Sequence, residues 1–315
     1  MFTRLTVPTP FQVGAVNAYL AGRTLIDPGP DSEEAWSHLL DALEERGLSP
    51  SDIERIIVTH PHPDHFGLAN RFREAGASVV ATPDAARIVG DFEGRFERER
   101  AFFTDFFERC GMARSTAETV TCFPEVYLRY APDVATDQEI VSGDTLVVQD
   151  TVLEVDEVLG HADGECILSY DRDGERRAIV GDHVLPDITP NPFLLPPGEG
   201  RDERPRVLPS YNRSLDRLRD RDYDRLLPGH REVIEAPSER IGEIREAHED
   251  RTDNVRDLVD GPTTPVDVMD GLFGDLPVTE SFAGMSEAVG HLDVLEDRGE
   301  VTMRDRGGVL VYEPV

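Results

Sequence analysis

The sequence predicts an α/β protein with a divalent-metal site at one edge of a sheet. An apolar run at residues 53–59 has the composition of a buried strand. Three histidines and an aspartate, His60, His62, Asp64 and His65, follow within six residues, and apolar residues then recur at helical spacing. Because open α/β sheets place their chemistry on turns at the carboxyl ends of strands, we expect this turn to be the centre of the molecule.

The residue types in this turn favour metal binding. Imidazole suits zinc, iron and related ions, and a carboxylate adds negative charge. His60 and His62 alternate along an extended segment that two prolines stiffen, so both side chains can point the same way. Asp64 and His65 come one step later and can face a second ion. Three of the nine histidines fall in this hexapeptide, which makes a chance His-rich loop a poor explanation.

Acidic residues far outnumber basic ones, and every basic residue is an arginine. The 63 Asp and Glu residues against 32 Arg give a formal net charge of −31 that is spread along the whole chain. In molar salt the Debye length falls to ~3 Å and self-repulsion is largely screened. We therefore expect a salt-adapted, halophilic organism. The same charge argues against unaided nucleic-acid binding at low salt.

The remaining totals predict a cytoplasmic protein. With 315 residues the chain is long enough for one large core and a small second domain. No apolar run approaches the ~20 residues of a membrane helix, and the N-terminus lacks a signal-peptide pattern. Cys110, Cys122 and Cys166 lie far apart and form no CxxC motif, which suits a reducing compartment.

The first part of the chain alternates strands and helices. β-like runs at residues 13–20 and 24–26 are separated by a glycine turn, and a helix is predicted from about Ser32 to residue 46. His38 on that helix is predicted to be a surface histidine. A buried strand follows at residues 77–81.

Residues 84–130 predict a helical insertion rich in phenylalanine. The phenylalanines fall at largely helical spacing. The insertion is either a cap over a substrate cleft, since pockets are lined mainly by apolar and aromatic residues, or a subdomain that packs its own core. Tyr127, Arg129 and Tyr130 at its end are candidate substrate contacts.

The second part of the chain adds strands that end in polar turns. Strands are predicted at residues 145–148, 151–158, 167–170, 178–180 and 223–227, with a Pro-rich loop at 186–209 and a helix at 210–219. His161, Asp182 and His230 each lie on a turn after an apolar β-run. Such turns gather along one edge of an α/β sheet, so these residues join the first cluster there.

This pattern resembles the metallo-β-lactamase fold superfamily. The HxHxDH run at residues 60–65, the Gly-His at 160–161, the Gly-Asp at 181–182 and the Gly-His at 229–230 stand in the family's order, over about residues 1–235. The resemblance implies a four-layer αββα sandwich, with a dinuclear metal site between the two sheets.

The resemblance also implies a role for each ligand. One metal would be held by His60, His62 and His161, the second by Asp64, His65 and His230, and Asp182 would bridge both. The cofactors would be two divalent ions, zinc first, with iron and manganese as alternatives. Two such ions can share a hydroxide that attacks an acyl carbon or phosphorus. Asp64 and Asp182 are therefore the predicted catalytic residues, and Asp64 could also orient the nucleophile.

Three further residues bear on the ligands. Asp27, in an Asp-Pro-Gly turn, resembles the family's buried acidic residue behind the ligand histidines; the alternative is a plain turn-former. Glu165 stands where the family's third motif often has His or Ser, which concerns the support of the ligands. His183 is predicted to be a neighbour of the site and not a ligand. The bridging Asp182 argues against true β-lactamases and favours the glyoxalase II-like and ribonuclease Z-like branches.

Residues 236–315 predict a helical linker and a winged-helix-like domain, as in the lactamase-β-like group. Helices at 238–258, 266–272 and 285–297 precede a hairpin at 300–303 and 309–312. A winged helix can bind nucleic acid, but the last helix presents four acids, Glu287, Asp293, Glu296 and Asp297. We therefore favour a packing or dimerisation module that shapes the substrate cleft, and a homodimer is possible.

The leading functional prediction is a dinuclear hydrolase of a thioester or related acyl ester, similar to glyoxalase II (hydroxyacylglutathione hydrolase), with a small-molecule acyl substrate. The alternative prediction is a metal-dependent nuclease or phosphodiesterase, which would need a row of basic residues on its surface. A mononuclear iron dioxygenase of the persulfide type also resembles glyoxalase II, but the ligands for a second ion weigh against it. A regulator with a vestigial enzyme is disfavoured by the intact ligand set. Tyr211 and Arg213 are further candidate substrate contacts.

Overall fold

The structure is a computed structural model that describes residues 2–198 and 200–315. Its strands are β1 Thr3–Val7, β2 Val16–Ala21, β3 Thr24–Ile26, β4 Arg55–Ile57, β5 Ser78–Ala81, β6 Gln138–Glu139, β7 Thr145–Val148, β8 Thr151–Glu157, β9 Cys166–Arg172, β10 Glu175–Gly181, β11 Arg225–Pro228, β12 Val301–Arg306 and β13 Val309–Pro314.

The helices fill most of the remaining chain. They are α1 Glu33–Glu44, α2 Pro63–Phe66, α3 Ala69–Glu74, α4 Pro83–Val89, α5 Phe92–Arg109, α6 Arg114–Cys122, α7 Val207–Arg219, α8 Pro237–Leu258, α9 Pro265–Phe273 and α10 Val278–Asp297, with 3₁₀ segments at Pro50–Asp52 and Phe123–Tyr130. In the part of the chain that the structure describes, no helix combines the length and apolar character needed to cross a membrane.

The chain forms two compact units. The first comprises Met1–Glu93, Tyr127–Pro190 and Leu218–Ile241, and the second Gly94–Val126, Asn191–Arg217 and Gly242–Val315. The second unit therefore includes chain from the predicted helical insertion and from the predicted Pro-rich loop as well as the tail. The predicted domain boundary at residue 235 and the role of residues 84–130 as a cap stay predictions.

Two sheets build the first unit. The first sheet has the strand order β1-β2-β3-β4-β5-β6, antiparallel from β1 to β3 and parallel from β3 to β6. The second has the order β11-β10-β9-β8-β7, in which only β10 and β11 are parallel. The parallel pairs bring the carboxyl ends of β3, β4 and β5, and of β10 and β11, to common edges.

Alternation along the central strands separates two apolar cores. Leu25, Ile56 and Val79 are paired in register across β3, β4 and β5, and they belong to a core shared with helices α1, α3 and α4. The next residues, Ile26, Ile57 and Val80, face the opposite way and pack with residues of the second sheet such as Leu168 and Ile179. Because side chains alternate between faces, strands buried on both sides read as continuous apolar runs.

Side-chain caps set the starts of several helices. The Ser32 hydroxyl accepts from the Ala35 N–H at the start of α1, and Thr82 does the same for Ala85 at the start of α4. Thr264 and Asp267 form a capping box at α9. His38 lies exposed on α1, as predicted.

The second unit has an aromatic and apolar core. Phe103 and Phe107 of α5 meet Phe282 of α10 with ring centroids 5.0 and 5.3 Å apart. Arg204 makes a bidentate pair of 2.7 Å bonds with Asp293 of α10, which is nearly fully buried. The predicted tail helices and the β12–β13 hairpin are present. Their assignment as a winged helix stays a prediction.

Candidate metal centre

The HxHxDH segment forms the turn between β4 and α2. His60 and His62 lie in the extended turn after β4, and His62 is the residue that precedes the first helical position of α2. Pro63 occupies that first position, where its missing N–H costs no hydrogen bond. Asp64 and His65 follow on α2 and are both buried. The prediction of a strand, a polar turn and a helix here is confirmed.

Three other turns bring polar residues to the same place. His161 lies after β8, Asp182 directly after β10 and His230 after β11. The Gly229 N–H donates to the Gly181 carbonyl at 2.6 Å, so the ends of β10 and β11 are held side by side. A Cβ atom on Gly229 would lie 2.3 Å from Asp182 Oδ1, which explains why this position before His230 is glycine.

The metal-binding atoms form two groups around one carboxylate. The ligand atoms of His60, His62 and His161 lie within 4.8 Å of one another, as do those of Asp64, His65 and His230. Asp182 lies between the groups. Its carboxylate oxygens are 3.5 Å from His65 Nε2, 3.3 Å from His230 Nε2 and 3.7 Å from His161 Nε2. The structure thus brings together all seven residues that the sequence predicted as ligands.

Hydrogen bonds to Nδ1, on the side of the ring away from the centre, fix three of the imidazole rings. His60 Nδ1 lies 3.1 Å from Thr59 Oγ1, His65 Nδ1 lies 3.0 Å from an Asp27 oxygen, and His230 Nδ1 donates to the Ala15 carbonyl at 2.8 Å. Each contact engages Nδ1 and leaves Nε2 facing the centre. Such outer contacts select the tautomer that presents a lone pair to a metal.

Asp27 is buried and has a left-handed backbone. Its φ is 53°, a conformation that Asp tolerates better than most residues. Besides contacting His65, its carboxylate accepts from the Thr59 N–H at 2.9 Å and from the Thr59 hydroxyl at 2.7 Å. Asp27 therefore both shapes its turn and holds the segment that carries the ligands. A third group of candidate ligand atoms, Asp27, His60 and His65, arises from this closeness.

Two histidines of the first group, His60 and His62, are electrically neutral at neutral pH. Burial lowers the pKa of His60 well below its ordinary value. Burial, together with the nearby His161, lowers the pKa of His62 to about 3. Neutral imidazole is the form that binds metal, so these two side chains need not lose a proton to serve as ligands.

Nearby carboxylates raise the pKa of both histidines of the second group. Burial opposes charge there, but the carboxylates around them, Asp182 first, raise the pKa of His65 well above its ordinary value and that of His230 to about 10. In return, and against the effect of burial, the charges of His230 and His65 hold the pKa of Asp182 well below its ordinary value. The negative potential that favours these protons would equally favour a metal cation.

The residues fit a divalent metal. Among the residues that the structure describes, Nε2 of His60, His65 and His230 and Oδ1 of Asp182 are buried and have no hydrogen-bond partner. Buried polar atoms are costly unless they are paired. A mixed nitrogen and oxygen donor set converging on one space is the arrangement that zinc and related ions use. The described residues therefore include His/Asp clusters able to bind metal ions.

A buried pair accounts for the residue that departs from the family pattern. His183 Nδ1 lies 2.8 Å from Glu165 Oε2, and both side chains are fully buried. Glu165 ends the turn that carries His161, and His183 follows Asp182, so the pair joins two ligand-bearing segments. The sequence shows both residues but not their contact, which depends on the packing of the turn after β8 against the end of β10.

The two further candidate substrate contacts belong to the second unit. Tyr211 is fully buried, with its ring centroid 5.4 Å from that of His248. Arg213 donates to Ser210 on the same helix at 2.8 Å. The burial of Tyr211 favours a packing role within α7 over substrate contact.

Comparison with known proteins gives the family. The model of the metallo-beta-lactamase superfamily matches residues 12–230, a range that includes Asp27 and every predicted metal ligand. The chain belongs to the metallo-beta-lactamase superfamily. This result confirms the predicted αββα metallo-β-lactamase fold.

Similar proteins match over nearly the whole chain. The chain is 31% identical to a protein of Bacillus subtilis (strain 168) named probable metallo-hydrolase YqjP, over 98% of this chain and 96% of that protein. It is similar to the crystal structure of a metallo-beta-lactamase family protein from Thermus thermophilus, with 28% identity, a TM-score of 0.80, and coverage of 100% and 98%. A beta-lactamase domain protein from Burkholderia ambifaria has 25% identity, a TM-score of 0.76, and coverage of 100% and 92%. The chain is a metallo-hydrolase of this superfamily with His and Asp metal-binding groups.

Proposed function

We propose that this metallo-β-lactamase superfamily member is a two-metal hydrolase that cleaves a thioester or a related acyl ester of a small molecule. The observation that carries the proposal is the position of Asp182 within 3.7 Å of nitrogen atoms from both donor groups. A carboxylate in that place would be within reach of ions held by either group. Zinc is the first candidate metal because the donor set is rich in imidazole.

The residues have distinct tasks in this proposal. His60, His62 and His161 would hold one ion, Asp64, His65 and His230 the other, and Asp182 would bridge them. Two divalent ions there would supply positive charge that polarises the scissile carbonyl and lowers the pKa of the attacking water. Asp64, one oxygen of which lies 3.3 Å from His230 Nε2, would accept a hydrogen bond from that water and orient it.

Nucleophilic catalysis by a cysteine receives no support. Burial raises the pKa of Cys166 and that of Cys110, to about 12 for Cys110, so neither is a thiolate near neutral pH. All three cysteines are free thiols. Water activated by the metal centre is therefore the proposed nucleophile, and the free thiols agree with the expected cytoplasmic location.

Charge favours an acyl substrate over a nucleic acid. The chain carries a formal net charge of −31, and nucleic-acid binding needs phosphate-neutralising Lys and Arg residues. Two arginines that precede α7 are paired with acids of α10, since Arg204 binds Asp293 and Arg206 binds Glu296. We accordingly propose a packing or dimerisation role for the tail rather than a nucleic-acid guide.

A substrate comparison in molar KCl tests the proposal. Purified, zinc-loaded protein is assayed with S-acyl thioesters, with a bis-aryl phosphodiester and with RNA. Asp182→Ala serves as the inactive variant and His38→Ala, which removes an exposed histidine on α1, as the matched control. Thioester turnover that is lost in Asp182→Ala and kept in His38→Ala supports an acyl hydrolase. Cleavage of phosphodiester or RNA without thioester turnover refutes it.

A further inference from the structure

A short ordered loop carries Phe11 next to a metal-binding residue. Between β1 and β2, the Thr9 hydroxyl donates to the Gly14 carbonyl at 2.6 Å and the Gly14 N–H donates to the Phe11 carbonyl at 3.2 Å. The loop is thus closed on itself. It leads directly into Ala15, whose carbonyl accepts from His230. Phe11 is therefore held four residues from a contact with the metal centre.

A second segment is fixed against the helix that carries two other metal-binding residues. The Tyr130 carbonyl accepts from the Asp31 N–H at 3.0 Å. A Cβ atom on Gly67, the residue that ends α2, would lie 2.2 Å from the same carbonyl. The segment is therefore packed closely against the end of α2, two residues after His65. Burial, and then the charge of Asp64, raise the pKa of Tyr127.

The aromatic rings of these two segments meet. The Phe11 ring centroid lies 4.9 Å from that of Tyr127 and 5.6 Å from that of Tyr130. Arg129 donates to the Tyr130 hydroxyl at 2.5 Å, and its guanidinium lies 4.6 Å from the centre of the Tyr130 ring. These contacts fix the rings in place, because the cation is attracted to the face of the Tyr130 ring.

The three rings are not part of the apolar core. Each is only partly buried, and none belongs to the apolar clusters found among the described residues. Partly exposed aromatic groups near a buried polar centre are the usual lining of a ligand pocket, in which apolar surface binds the ligand and a few polar groups orient it. The two segments that carry the rings are anchored beside His230 and beside α2, the helix of Asp64 and His65.

We propose that Phe11, Tyr127 and Tyr130 form an aromatic wall that selects acyl groups carrying a flat, aromatic substituent. The preferred substrates are therefore arylacyl thioesters rather than short aliphatic ones. Identifying the bound group as an acyl group rests on the proposed function. The wall itself rests on the ring contacts and on the two backbone anchors.

Ligand binding tests the wall without turnover. Phenylacetate and acetate share a carboxylate and differ in one ring, so the ratio of their dissociation constants reports the ring contact. Ligand-observed NMR on zinc-loaded protein in molar KCl measures both. We expect phenylacetate to bind about tenfold more tightly, the order of one aromatic contact plus its buried area. Phe11→Ala should bring the ratio close to one and leave acetate binding unchanged.

Controls separate a lost wall from a lost fold. Val147→Ala removes an apolar side chain that is 63% exposed on β7 and should keep the wild-type ratio. If Phe11→Ala does not fold, Phe11→Leu keeps apolar volume but removes the ring face and should lower the ratio several-fold. Equal affinities for the two acids in the wild-type protein, or a ratio unchanged in the folded Phe11 variant, overturn the proposal.

The outcome is independent of the proposed reaction. An intact preference for phenylacetate in a protein without thioester turnover refutes the proposed function alone. Thioester turnover with equal kcat/KM for acetyl and phenylacetyl substrates, together with equal acid affinities, refutes the aromatic wall alone.

Discussion

Replacing Asp27 by Asn should weaken metal binding while leaving the fold intact. The Asp27 carboxylate accepts hydrogen bonds from the Thr59 N–H, the Thr59 hydroxyl and His65 Nδ1. An Asn side chain is isosteric and tolerates the φ of 53° at this position. Its oxygen must still face the Thr59 N–H, because an amide NH₂ there would meet another donor. The amide NH₂ then points at His65 Nδ1.

That exchange favours the wrong tautomer of His65. A donor facing Nδ1 makes Nδ1 the acceptor and places the proton on Nε2, the atom that lies 3.5 Å from Asp182 and faces the centre. A protonated Nε2 has no lone pair for a metal. Loss of an outer-contact residue of this kind costs 10–100-fold in metal affinity, about 1.4–2.7 kcal/mol.

Zinc competition with a chromophoric chelator in molar KCl measures this loss. We expect Asp27→Asn to retain wild-type affinity for one ion and to bind the other about 10–100-fold more weakly. Asp31→Asn is the matched control, because Asp31 pairs with Arg71 and contacts no predicted metal ligand among the described residues. Wild-type affinity for both ions in Asp27→Asn would refute the role of Asp27 in orienting His65.

Three further predictions concern stability. Glu165→Ala removes a buried carboxylate that contacts His183 Nδ1 and should lower the free energy of unfolding by about 2–4 kcal/mol in urea titrations. Glu165→Gln keeps an acceptor oxygen and should cost about 1 kcal/mol; equal losses would contradict a stabilising Glu165–His183 hydrogen bond. Gly67→Ala would place a Cβ 2.2 Å from a backbone oxygen and should lower the free energy of unfolding by at least about 2 kcal/mol. Gly242→Ala on α8 is the comparison: no described atom lies within 4 Å of its Cβ, so it should raise the free energy of unfolding by about 0.5–1 kcal/mol. Burial lowers the pKa of His248 from 6.5 to about 3, so only the unfolded chain gains this proton between those values. Unfolding free energy should therefore fall by about 1.4 kcal/mol per pH unit below 6.5, and His248→Gln should remove that component.

Much of the fold was predictable because local signals agree with the tertiary structure. β3 and β7 have the predicted bounds, since apolar runs end sharply at turn residues. β1 was not predicted because Thr3–Val7 is short and contains only two apolar residues, Leu5 and Val7. Helix α7 begins at Val207, inside the predicted loop, because Pro209 lies in its first turn, where proline is tolerated. Helix α10 begins at Val278, seven residues earlier than predicted, despite Gly284 within it.

The candidate site shows the same division. Its ligands were predictable because imidazoles and carboxylates after strands are visible in the sequence. The contacts that hold those ligands in position were less predictable. The contact of His230 is the backbone carbonyl of Ala15, which no residue type reveals. The Glu165–His183 pair joins residues 18 positions apart. The Phe11–Tyr127 contact joins the loop between β1 and β2 to a 3₁₀ segment through tertiary packing. Such contacts depend on the three-dimensional arrangement of strands and not on local pattern.

The number of metal ions per chain tests the central claim most directly. The protein is dialysed against zinc in molar KCl and freed of excess metal by gel filtration. Its zinc content per chain is then measured by inductively coupled plasma mass spectrometry. We predict two zinc ions per wild-type chain and per His38→Ala chain, and one per His161→Ala chain, because His161 belongs to one donor group only. One ion in the wild-type protein, or two in His161→Ala, would contradict a centre built from two ligand groups that share Asp182.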